Sequence, residues 1–277
     1  MTRFFALTYL LSWACFIAGG TVPMPERLRG LCFTLGAFGP AIVALWMTLR
    51  TGGKAGTAAL LGRVLQWEVG ARWYVLAVVC MPAIKLTTAL LLRLATGTWP
   101  HFGTESWAII AVAIVISTPF QAGEEIGWRG YALPRLAQRY GLARASLLLG
   151  VIWAAWHLPL FFLPAVDKSG QSFPVYLLQV TALSVIVAWL FARTNGSLLL
   201  TMLLHSAVNQ TIGIVPSTVS GATHPFALST SPVAWVTVAL LWACATYCLV
   251  RMPHLDLLRL VAPQREAAER ARPAPAT

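Results

Sequence analysis

Acidic residues are scarce in this chain: nine Asp and Glu stand against 20 Lys and Arg, and charged residues of either sign fill only 10% of its 277 positions. A soluble domain carries about 25% charged residues, so a surface exposed to water all round is excluded. The five Cys, at 15, 32, 80, 244 and 248, all lie within apolar runs, with no CxxC pair and none in a loop. That excludes a disulfide framework and a zinc ribbon, and leaves small buried hydrophobes. The HExxH signature of a zinc-protease helix does not occur. Nor does any internal repeat stand out of the kind that marks inverted-repeat transporters.

Hydrocarbon fills the space that charge leaves. With 58% hydrophobic residues and a mean hydropathy of +0.71, the composition is that of a polytopic membrane protein. Twelve Trp, many near the ends of apolar runs, suit the interfacial aromatic belts. About eight runs approach the roughly 20 residues needed to cross a bilayer: 4–20, 30–49, 73–95, 106–123, 145–163, 174–192, 197–215 and 233–250. The first has the outline of a signal peptide, with Arg3, an apolar centre and Ala18, Gly19 and Gly20 at its end. It is expected to be a retained helix, because counting it gives an even number of spans that the charges support.

With the N-terminus in the cytoplasm, fifteen basic residues fall on inside segments and four, Arg27, Arg29, Arg93 and Lys168, fall outside. The positive-inside rule therefore places both termini in the cytoplasm. The net charge of +11 is then topology together with attraction to anionic lipid, and calls for no nucleic-acid partner. The expected architecture is an all-α polytopic membrane protein of about eight transmembrane helices, one transmembrane domain over 1–250. A basic, Pro/Ala-rich cytoplasmic tail over 251–277 is expected to be flexible. The compact chain and its Arg-rich inner loops suggest a bacterial inner membrane.

Ionisable groups inside such spans cost about 2.5–3.5 kcal/mol each near a helix centre, so those present need a reason. They are Lys85, Glu124, Glu125, Arg129, His157 and His205, with the amide of Asn209 beside them. In QAGEEIGWRGYALPRL, residues 121–136, Glu125 and Arg129 are four apart and share a helical face, in the favourable order for an ion pair. Glu124 is rotated by about 100° from Glu125 and lacks that partner. The two carboxylates divide into a structural one and one available as a general base. The bland alternative is an interfacial charge cluster closing a span.

His157, in GVIWAAWHLPLFF, reads by itself as a hydrogen-bonded core residue. His205 and Asn209 are four apart on one face and offer two donors toward a common point, as an oxyanion requires, or else serve as glue between helices. At 1.5 Å per residue His205 lies roughly 12 Å, and His157 roughly 18 Å, into its span, while Glu124 lies about 15 Å before Pro134, where the helix is expected to kink or stop. Similar depths from the same side point to one shared polar cavity. Lys85 fits no part of this scheme; it is expected to snorkel or to meet a carboxylate.

These motifs resemble those of the CAAX protease and bacteriocin-processing (ABI) family of intramembrane endopeptidases. Its pattern of EExxxR, an aromatic four residues before a His, and HxxxN or HxxxD is met by Glu124-Glu125-xxx-Arg129, Trp153-xxx-His157 and His205-xxx-Asn209. Trp153 stands where the family more often has Phe. The resemblance covers roughly 115–215, the expected catalytic core, and implies peptide-bond hydrolysis in a cavity open to the cytoplasm, without a covalent intermediate. By that resemblance Glu124 would deprotonate a water that His157 helps to hold, and His205 and Asn209 would stabilise the oxyanion. Glu125 and Arg129 would hold the helix, and the substrate would be a peptide or a membrane protein.

The motifs leave metal dependence open. Glu124, His157 and His205 are a His2Glu set of the type that binds catalytic zinc, which makes zinc the candidate cofactor. Yet a Glu124 that binds metal is no longer free to act as the base. Two readings of other classes stand beside the protease: a proton-coupled transporter using the Glu/His cluster as a relay, and a non-catalytic membrane protein such as one conferring immunity to a bacteriocin.

Overall fold

A computed structural model of the chain describes residues 1–163, 172–216, 224–226 and 231–252. The tail expected over 251–277 lies, beyond Met252, outside the described residues, as does Lys168. Helices α1 (Thr2–Thr21), α2 (Glu26–Gly62) and α3 (Ala71–Thr96) come first. A helical rod then runs from 107 to 140: α4 (Trp107–Ser117), a 3₁₀ turn, α5 (Ala122–Glu125), a π-helix over Ile126–Ala132, and α6 (Leu133–Tyr140). Helices α7 (Leu142–Trp156), α8 (Phe173–Arg193), α9 (Leu198–Thr211) and α10 (Pro232–Arg251) follow. No strand occurs among the described residues. The protein is an all-helical, multi-pass membrane protein.

Every expected span is helical, and among the described residues six helices are long and apolar enough to cross a membrane. The remaining two, α7 and α9, have 15 and 14 residues. At 1.5 Å per residue each falls short of a ~30 Å hydrocarbon core. They are the helices that carry His157, and His205 with Asn209. Pro159, which has no N–H to donate, replaces the end of α7 by a 3₁₀ turn over Leu158–Phe161, so α7 stops at His157.

The chain does not stop at Pro134. That proline occupies the first turn of α6, where a missing N–H is harmless, and the turn it cannot bond back to is wound as π-helix. The rod ends instead at Gly141, whose φ of 76° is open to glycine and strained for other residues. This turn sends α7 back beside the rod.

Small residues pack the bundle closely, and the most buried of its membrane-length helices is α8, with 13 of 21 residues buried. Phe4, Thr8, Ser12 and Phe16 form the buried stripe of α1. Gly36 and Gly39 of α2 lie under it, and a Cβ at Gly39 would come within 2.1 Å of Ser12 Oγ. Gly123 and Gly127 of the rod face α2 in the same way; a Cβ on Gly127 would stand 2.4 Å from Pro40. With one face pressed on α2, the rod presents its glutamates to α7 and α9.

Helix α9 is laced to α4 by Ser206 Oγ, which donates to the Ile114 carbonyl at 2.7 Å and lies 2.6 Å from Ser117 Oγ. Lys85 is 1% exposed and donates to the carbonyl of Val215, at 3.1 Å, just beyond α9. A cation there complements the negative end of the helix dipole, so Lys85 meets a backbone carbonyl rather than a carboxylate.

Candidate active site

The i,i+4 spacing in the rod does what it predicts. Arg129 Nη1 donates to Glu125 Oε1 at 2.7 Å, with both side chains fully buried. A second donor reaches the same oxygen: His205 Nδ1 of α9, at 2.9 Å. Glu125 is therefore committed twice and sealed from solvent. Glu124, next to it, is only half-buried and turns toward α7, where the indole N–H of Trp153 donates to its Oε2 at 2.5 Å.

Trp153 is the hub of the cluster. The Arg129 guanidinium lies 4.1 Å from its ring centroid, and the His205 ring meets it edge-on at 5.2 Å. Its backbone carbonyl accepts a hydrogen bond from His157 Nδ1 at 2.9 Å. The structure thus gathers Glu124, Glu125, Arg129, Trp153, His157 and His205 from three helices that are far apart in sequence. Both imidazoles use Nδ1 as the donor, which leaves Nε2 as the acceptor nitrogen of each neutral ring.

Asn209 is placed differently from the expected common point with His205. It is exposed on α9, one turn beyond His205, and its amide donates to Gln121 Oε1 at 3.4 Å, a long contact. Tyr176 of α8 lies edge-on to His157, with ring centroids 5.4 Å apart. Gln121 and Tyr176 are neighbours of the cluster that the sequence reading passed over. Gln121 carried a signal, an amide within the same stretch three residues before Glu124; Tyr176 carried none.

Among the described residues, no three His, Cys, Asp or Glu are grouped so as to hold a metal ion. Glu124, His157 and His205, the candidate zinc set, each touch Trp153: Glu124 at its indole N–H, His157 at its backbone carbonyl and His205 at its ring. These residues do not fit a zinc centre, and no step below is routed through one.

The division of labour around Trp153 is testable. Trp153→Phe keeps a ring for Arg129 and His205 and deletes the donor to Glu124. It is expected to slow the site's chemistry by less than about tenfold, the size of one lost hydrogen bond. Trp153→Ala removes the platform as well and is expected to destabilise the fold by about 3–5 kcal/mol, read as earlier unfolding in a denaturant titration.

Comparison with known proteins adds a second line of support. Residues 103–211 match the family model described as type II CAAX prenyl endopeptidase, Rce1-like. The chain is 23% identical over 224 residues to the CAAX prenyl protease 2 of Methanococcus maripaludis, an alignment that covers 74% of this chain and 81% of that protein.

Proposed function

Through residues 103–211 the chain belongs to the CAAX protease family, and on that premise we propose that it is an intramembrane endopeptidase that hydrolyses a peptide bond with a water activated by Glu124. The observation that carries this reading is the contrast between two adjacent carboxylates. Glu125 is sealed by Arg129 and His205, while Glu124 keeps part of its surface open and has the Trp153 indole N–H as its hydrogen-bond donor. A general base must be reachable by the water it deprotonates.

In the proposed reaction a water donates one O–H to Glu124 and the other to Nε2 of His157. Glu124 takes its proton as the water oxygen bonds to the peptide carbonyl carbon. Asn209, one turn beyond His205, would turn its amide N–H from Gln121 Oε1 to the tetrahedral oxyanion. Collapse breaks the C–N bond, and the proton held by Glu124 passes to the leaving amine. Arg129 and Glu125 fix the rod and the plane of Trp153, and so position Glu124.

The substrate class proposed is a peptide or a membrane-associated protein whose scissile segment enters the helix bundle, in the cell membrane. Purified full chain in liposomes, offered prenylated CAAX peptides and their unprenylated counterparts, is expected to cleave at least one of them. With Glu124 rather than a metal proposed to activate the water, cleavage is expected to survive dialysis against a chelator. Loss of cleavage with chelator and its return with zinc would replace the water-activating role of Glu124 by a metal-centred one.

A further inference from the structure

Helices α1 and α2 pack through their glycine-backed stripe, and beside this seam lies a groove. Leu7, Leu10, Ile42 and Trp46 line its length, which has a volume of about 460 Å³. Past Leu7 and Trp46 it runs into a second hollow of about 520 Å³, bounded by Arg3, Arg50 and Thr51. The groove is thus apolar along one stretch and cationic at one end. Arg50 is held near that end with its guanidinium 5.6 Å from the Trp46 ring. Neither Arg3 nor Arg50 has a carboxylate partner among the described residues.

We infer that this groove is a binding site for one anionic phospholipid, with an acyl chain along Leu7, Leu10, Ile42 and Trp46 and the phosphate between Arg3 and Arg50. Charge complementarity selects the occupant. Two uncompensated guanidinium groups favour a headgroup of net negative charge over a zwitterionic one. The apolar stretch beyond them suits hydrocarbon and offers nothing to a second anion.

Other contacts of α1 explain why occupancy would matter. Phe4 packs on Trp128 and Tyr131 of the π-helix, with centroids 6.0 and 4.8 Å apart. Tyr9 and Trp13 donate to the carbonyls of Ile152 and Trp156 on α7. Helix α1 therefore clasps α7, which holds Trp153, and the π-helix that directly follows Glu124 and Glu125, and a lipid wedged between α1 and α2 holds that clasp in place.

The test is lipid retention by the purified, detergent-solubilised full chain in native mass spectrometry, together with its thermal midpoint. The probes are phosphatidylglycerol and phosphatidylcholine of identical chains. Wild type is expected to favour phosphatidylglycerol by roughly fivefold for each arginine engaged, and to melt later with it. In Arg3→Gln/Arg50→Gln the preference is expected to vanish, while Arg27→Gln/Arg29→Gln, which removes equal charge elsewhere, retains it. The inference is overturned if wild type shows no preference, if the first double variant keeps it, or if the control loses it equally. It is also overturned if inorganic phosphate raises the midpoint as much as the lipid does, since the apolar stretch would then be idle.

Discussion

Glu124→Gln is expected to lower kcat for peptide cleavage by on the order of 10²–10⁴-fold, the usual contribution of a positioned general base, with little change in stability. Gln is nearly isosteric with Glu, and its carbonyl oxygen can still accept the Trp153 indole N–H that now lies 2.5 Å from Glu124 Oε2. The substitution therefore removes the basic lone pair and leaves the hydrogen bond. Activity in liposomes and the unfolding midpoint of the same preparation separate the two effects. An unaltered rate would remove Glu124 from the chemistry, and a lower midpoint with lost activity would make it structural. The transporter reading predicts something else again, pH-dependent flux that tolerates replacement of Asn209.

The second large effect concerns stability. Arg129→Met is expected to destabilise the protein by about 3–5 kcal/mol, because it strands a carboxylate buried without access to water. Arg129 and Glu125 are both fully buried, at 2.7 Å from each other, and only neutral donors, His205 and the Thr201 hydroxyl, would remain on Glu125. Glu125→Gln/Arg129→Met, which removes both charges, is expected to regain much of that loss. The double-mutant cycle is read by detergent-denaturant titration. Arg129→Lys is expected to recover little, because the guanidinium lies against the Trp153 ring at 4.1 Å and a compact ammonium does not reproduce that planar contact. If Arg129→Met unfolds at the wild-type midpoint, the pair contributes nothing to the fold.

How far the sequence revealed this arrangement depended on how local each contact is. The bond between Glu125 and Arg129 is a property of one helix and follows from i,i+4 spacing. The partner of Glu124 is 29 residues away on α7, and that of Glu125 on α9 is 80 residues away, so helical geometry gave no warning of either. Trp153, matched only as an aromatic four residues before a His, became the centre of the cluster because its ring and N–H face different neighbours. Gly123 and Gly127 displayed a small-xxx-small pattern that explains which side of the rod meets α2. The π-winding of Ile126–Ala132 is marked only by the Pro134 that follows it. Apolar length located a helix at each expected run, six of them long enough to cross a membrane among the described residues, but hydropathy alone did not reveal that Pro159 cuts α7 short.

The central proposal, that water bound by Glu124 attacks the peptide directly, is tested most directly by isotope transfer in a single turnover. With enzyme in excess over peptide in water enriched in ¹⁸O, mass spectrometry of the product and of the fragment containing Glu124 follows where the oxygen goes. One ¹⁸O in the new carboxyl terminus, and none in Glu124, is the predicted result. Label in the Glu124 carboxylate with an unlabelled first product would mean that this residue attacks the carbonyl itself, and would contradict the account.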